Sequence, residues 1–139
     1  MLNIFKDKDK SNNDKYYSKI AALMIHAAKI DQNYTNEEEE IIKKTLIELG
    51  AENSDIVKLI SNATIIEENS NQILDFTKEI KSAPEKDKIK IIECLWKIIY
   101  SNENADVFET NLMRRLTGLL YIDPKIVGHL KEKIKEEIT

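Results

Sequence analysis

"YYSKIAALMIHAAKI", residues 16–30, decides the fold of this chain. Ile20, Leu23, Met24 and Ala27 recur at the i, i+3, i+4, i+7 spacing of one helical face. The opposite face is mostly small and apolar too, as in a helix buried on several sides. Such a helix needs neighbours all round it, and the rest of the chain offers helices to supply them. A second begins near Thr35, turns Ile41, Ile42, Leu46 and Leu49 inward, and stops at Gly50, a left-handed cap. A third follows Asn53 or Ser54 with Ile56, Leu59, Ile60 and Ala63 on one face. "NQILDFTKEI" makes a fourth through Ile73, Phe76, Thr77 and Ile80. Pro84 stands in the first turn of a fifth, where its missing N–H costs nothing; this helix carries Ile89, Ile92, Leu95, Trp96 and Ile99. Asp106 opens a sixth with Leu112, Met113, Leu116 and Leu120, and Asp123-Pro124 a seventh with Val127, Leu130, Ile134 and Ile138. No segment reads as a strand. The expected fold is all-α: a single-domain bundle of about seven helices over residues 15–139, preceded by a flexible polar tail, residues 1–14.

Composition agrees. A chain of 139 residues, 42% hydrophobic and 33% charged, with three Gly and two Pro, is one domain of long helices with few sharp turns. The net charge of −4 disfavours nucleic acid. One cysteine, Cys94, forms no internal disulfide and fits a reducing compartment. Leu2, Ile4 and Phe5 fall short of a signal-peptide core, and no run approaches the ~20 apolar residues of a membrane span, so the expected location is cytoplasmic.

The chain also repeats itself. Residues 20–52 lie on 91–123 at a constant offset of 71 without a gap. Ile20/Ile91, Asn33/Asn104, Glu38/Glu109 and Leu49/Leu120 are identical, and Asp31/Asn102 and Thr35/Asp106 are conservative matches. Each copy reads as buried helix, polar loop, cap, glutamate and amphipathic helix, which predicts two pseudo-repeated helical hairpins.

The chemistry-bearing stretch is "DQNYTNEEEEII", residues 31–42. Read as an EF-hand loop from Asp31, it has oxygen donors at positions 1, 3 and 5 (Asp31, Asn33, Thr35). The turn glycine is Asn36, however, and the bidentate glutamate is Ile42, so it is no EF-hand. Thr35-Asn36-Glu37-Glu38 matches a capping box, in which hydroxyl and carboxylate satisfy each other's backbone N–H groups. Asp31 and Asn33 lie upstream and are not needed for a cap. Two readings stand: helix capping alone, or Asp31 and Glu38 facing a shared hard cation or a basic partner.

This loop-plus-glutamate, arranged twice, resembles the tellurite-resistance TerB family, whose domain also occurs in certain membrane-anchored J-domain co-chaperones. That family shows an A-D-G step with a glutamate seven residues after the Asp, and the same again in its second half. Here the copies are Ala28-Lys29-Ile30-Asp31-Gln32 with Glu38, and Tyr100-Ser101-Asn102-Glu103 with Glu109. "DFTKEI", "LWKIIY" and "ETNLMRRLTGLL" are similar to its central and C-terminal segments, so the resemblance spans about residues 16–135. Gln32 and Glu103 stand where the family has loop glycines, and Asn102 where it has its second Asp. The resemblance implies a non-catalytic scaffold or sensor of a bacterial stress or tellurite-resistance system. It also implies a divalent cation, Ca²⁺ or Mg²⁺, with Asp31, Asn33, Glu38, Asn102, Asn104 and Glu109 as the candidate ligands. The expected partner is a protein, basic or membrane-associated. The alternative is a co-chaperone-like interaction domain whose acidic loops only cap helices.

Other residues offer less. His26 and His129 have no Cys or carboxylate at ligand spacing, Cys94 beside Leu95-Trp96 reads as buried filler, and Trp96 as a core anchor. Lys43-Lys44 and Arg114-Arg115 read as solvated faces open to a partner's carboxylate. There is no phosphate loop, nucleophile elbow or acid–base constellation, so an enzyme is not expected.

Overall fold

Six consecutive residues of the opening stretch, Ile20 to Ile25, are 0% exposed. The computed structural model describes the backbone at residues 2–31, 34–70, 72–101 and 107–138, and side chains at 12–30, 34–70, 72–101 and 111–137. Among the described residues there are seven α-helices and no strand. They are α1 (Leu2–Ala28), α2 (Asn36–Leu49), α3 (Ile56–Glu68), α4 (Leu74–Ile80), α5 (Glu85–Ser101), α6 (Val107–Leu119) and α7 (Pro124–Ile138), with 3-10 turns at Lys29–Asp31 and Asn53–Asp55. The burial of α1 on every side follows from its neighbours: α3 and α4 cover it most extensively, and α5 and α2 close the rest. Each large side chain in its central run contributes about 1.5–3 kcal/mol by leaving water. The second buried helix, α5, lies between α1, α2 and α7 and hides Ile91, Ile92, Leu95, Trp96, Ile98 and Ile99.

The inward faces are those that helical spacing predicts. Ile42, Leu46, Leu59, Phe76, Ile80, Leu116 and Ile134 are all buried, with Ile41, Leu49, Ile89 and Leu112 packed at the core margin. Ile138 lies outside the described side chains. Three boundaries differ from expectation. Helix α1 begins at Leu2, because residues 2–14 contain neither Gly nor Pro to interrupt it, so the expected boundary near residue 15 falls inside a helix. Pro84 precedes α5 instead of lying within it, and its carbonyl accepts the N–H groups of Asp87 and Lys88. At α3, neither Asn53 nor Ser54 is the cap: they form a 3-10 turn, and the N-cap is Asp55 without a side-chain cap bond.

The offset of 71 reaches the helix ends. Helices α2 and α6 begin at Asn36 and Val107. At the end of α2, Gly50 N–H donates to Ile47 O (3.0 Å) and Ala51 N–H to Leu46 O (2.9 Å). At the end of α6, Tyr121 N–H donates to Gly118 O (3.3 Å) and Ile122 N–H to Thr117 O (3.1 Å), each atom 71 residues on. Both are Schellman closures, which place one residue in the left-handed region. Packing differs between the halves: α2 lies on α5, whereas α6 meets α4 and α7 among the described residues.

The left-handed residue is Gly50 (φ 118°) in the first closure and Tyr121 (φ 55°) in the second. A Cβ on Gly50 would also sit 2.9 Å from the Tyr17 hydroxyl, which donates to Leu49 O at 3.3 Å. Gly50→Ala is therefore expected to cost about 1–2 kcal/mol, while Tyr121→Gly is neutral or stabilising by up to about 1 kcal/mol. Urea denaturation of both variants checks the opposite signs.

Candidate functional site

The run of glutamates divides once α2 forms. Glu37 and Glu40 face solvent, Glu39 is half-buried, and Lys43 lies 3.8 Å from Glu39 and 3.5 Å from Glu40. Glu38 turns inward and is 0% exposed. Thr35, the extended N-cap residue, accepts from Glu38 N–H at 3.2 Å; the Glu38 carboxylate accepts from Thr35 N–H and from the Thr35 hydroxyl, both at 3.0 Å. The capping box expected from Thr35 and Glu38 is complete. Glu38 also has a further polar or electrostatic interaction. A cap does not require burial: box glutamates function at exposed helix ends, whereas removing a carboxylate from water is costly unless its charge is met.

Beside it, the Tyr34 hydroxyl is buried and has no hydrogen-bond partner among the described residues. Burial, and behind it the charges of Glu39 and Glu38, pushes this phenol well above its ordinary pKa. An unpaired buried hydroxyl costs about 1–3 kcal/mol, so it marks a place where a polar ligand would be stabilising. The donors of the segment, carboxylate, amide and hydroxyl oxygens, suit a hard cation and not zinc.

The structure places Glu38 in the first turn of α2 and ends the preceding 3-10 turn at Asp31. The Asp31 side chain and Asn33, Asn102 and Asn104 lie outside the described residues, as does the Glu109 side chain, whose backbone belongs to α6. Among the described residues no three His, Cys, Asp or Glu side chains gather as a metal site.

One ionic cluster has no local sequence signal. Glu67 of α3 reaches α1, where Lys29 Nζ meets Oε2 at 2.7 Å and His26 Nδ1 lies 3.3 Å from Oε1. Desolvation raises the Glu67 pKa, but hydrogen bonds from Lys29 and then His26 outweigh it and hold the carboxyl below its ordinary value. His26, read as a packed helix residue, thus has a carboxylate neighbour 41 positions away. It packs against Phe76 with ring centroids 5.4 Å apart. Cys94 is core filler as expected: its Sγ is 3.4 Å from Met24 Sδ, and burial pushes the thiol up to about 12. Trp96 is the expected anchor, 3% exposed, donating from Nε1 to Val127 O at 3.1 Å.

An all-α bundle built round one buried helix, with a capping box opening the helix that follows it, defines the class: a small helical module. The sequence profile of the tellurite resistance protein TerB matches residues 18–132. The chain belongs to that family. Comparison with curated proteins and with solved structures gave no match. No helix among the described residues is long and apolar enough to cross a membrane.

The Glu67 cluster gives a pH test. Because the folded pKa is lowered, Glu67 stabilises the fold above its ordinary value of 4.5 and that contribution is lost as pH falls through the folded pKa. Glu67→Gln is expected to cost about 1 kcal/mol near neutral pH. The gap to wild type should narrow steadily in denaturation curves taken below pH 4.5.

Proposed function

We propose that the chain is a non-catalytic, cytoplasmic scaffold or sensor module of a tellurite-resistance or stress system, with residues 15–139 as its folded unit. Its first acidic loop binds Ca²⁺ or Mg²⁺ through Asp31, Asn33 and Glu38; Asn102, Asn104 and Glu109 form a weaker counterpart. The observation that carries this reading is the complete burial of Glu38 beside the Tyr34 hydroxyl, which has no hydrogen-bond partner among the described residues. A cation there would give the Tyr34 hydroxyl a polar neighbour. The first loop is the stronger because it keeps a charged Asp31 where the second has Asn102. Family membership supports the module's setting.

The second reading is a co-chaperone-like interaction domain with caps alone, and the intact Thr35–Glu38 box favours it. Melting curves separate the two. The cation reading expects wild type to gain about 2.7 kcal/mol at a cation concentration a hundred times Kd. Glu38→Gln should abolish that gain, and Glu109→Gln should reduce it less. Identical wild-type curves with and without cation would leave only the caps. Deleting residues 1–14 should leave all these curves nearly unchanged, because Leu2, Ile4 and Phe5 are too few apolar groups to offset the entropy of ordering the segment.

A further inference from the structure

The C-terminal end of α6 carries a surface that the acidic-loop reading does not use. A groove of about 430 Å³ opens between α6 and α7, with Trp96, Met113, Ile122 and Val127 lining its apolar floor. Two glycines, Gly118 and Gly128, border it. A Cβ on Gly118 of α6 or on Gly128 of α7 would meet nothing within 4 Å. Glycine inside a helix is destabilising relative to alanine, and here each leaves space above an apolar floor. Across α6, and sharing Gly118, a second hollow of about 370 Å³ is lined by Leu74, Thr77 and Leu119. Tyr121 stands beside it, 76% exposed.

Charge identifies the occupant. Arg114 and Lys131 rim the first groove, Lys78 and Lys81 the second, and among the described residues no carboxylate lines either. Lys131 lies over the Trp96 ring, 5.6 Å from its centroid. Lys15, Lys43, Lys58, Lys90 and Lys133 each stand within ion-pair distance of a carboxylate. None of the four rim cations does so among the described residues. In a chain of net charge −4 this is a local excess of positive charge around apolar surface. Tyr121 adds an exposed aromatic at a left-handed position where the matching closure has Gly50, and aromatic side chains with Arg are typical anchors of protein interfaces.

We propose that this end of α6 is a docking surface for an acidic, amphipathic segment of a partner protein. An apolar side chain of the partner seats on the Trp96–Met113 floor, its carboxylates meet Arg114 and Lys131, and its backbone passes Tyr121. A nucleic acid is disfavoured because the chain is acidic overall, with a net charge of −4. A membrane is disfavoured because the larger apolar surface is recessed, whereas interfacial binding needs a protruding apolar face.

The test uses the full chain and a labelled synthetic peptide of about fourteen residues, helix-forming, with Leu at i and i+4 and Glu on both flanks. Saturable binding is expected, read by Trp96 fluorescence and by amide shifts at residues lining the two hollows. Gly128→Leu fills open space, so its melting temperature should not fall, yet affinity should drop about tenfold or more. Arg114→Glu with Lys131→Glu should weaken binding comparably and reverse the preference toward a Lys-flanked peptide. Tyr121→Gly should weaken binding without loss of stability. Absence of saturable binding overturns the proposal, as does equal binding of a Leu→Ser peptide or indifference to Gly128→Leu. Tighter association with anionic phospholipid vesicles than with the peptide would assign the surface to a membrane. Concentration-dependent shifts of the same residues without peptide would assign it to a second copy of the chain. Either result overturns the proposal.

Discussion

The structure depends on one constraint: residues 20–25 of α1 must be shielded from water on every side. An amphipathic helix needs a partner on one face only, whereas this one requires four, and α2, α3, α4 and α5 supply them. Short connections follow from that demand. Between the end of α1 at Ala28 and the start of α2 at Asn36 the chain must reverse so that Ile42 and Leu46 reach the same core. Helix α2 packs on α1 and α5, and Glu38 in its first turn is buried with it. A carboxylate there requires compensation, and the capping box and a further polar or electrostatic interaction contribute to it.

Much of this was legible because burial imposes a period of 3.6 on the sequence. The positions expected to face inward on α2 to α7 do so wherever their side chains are described, because each helix has a single apolar stripe and little freedom in how to use it. The Thr35–Glu38 box was legible because its partners are three residues apart and their reciprocal bonds are local. The Glu67 cluster was not. Its members stand 38 and 41 residues apart, and only the packing of α3 on α1 brings them together. Nor was the second Schellman closure, since Tyr121 occupies the position where a glycine would have signalled a left-handed turn. Helix α1 starts earlier than its apolar stripe because amphipathic periodicity reports burial and not helicity, and a polar stretch without Gly or Pro extends a helix without leaving that signature.

Charge is distributed unevenly along the fold, and the net value of −4 conceals it. The first acidic loop lies where α1 turns into α2, and the second precedes α6. Arg114, Lys131, Lys78 and Lys81 line the two hollows that flank the later part of α6, which spans Val107–Leu119 and so extends about 20 Å. A module with an anionic loop at one end of a helix and a cationic, apolar surface at the other can engage a cation and an acidic protein segment without competition between them.

The central claim is that the buried Glu38 belongs to a cation site and not only to a helix cap. Backbone amide shifts recorded while Ca²⁺, and separately Mg²⁺, is titrated into the full chain test it most directly. The account predicts saturable shifts confined to residues 31–38, with smaller ones at 102–109 and none around Trp96 and Tyr121. Unchanged spectra, or weak unsaturable shifts spread over every exposed carboxylate, would contradict it.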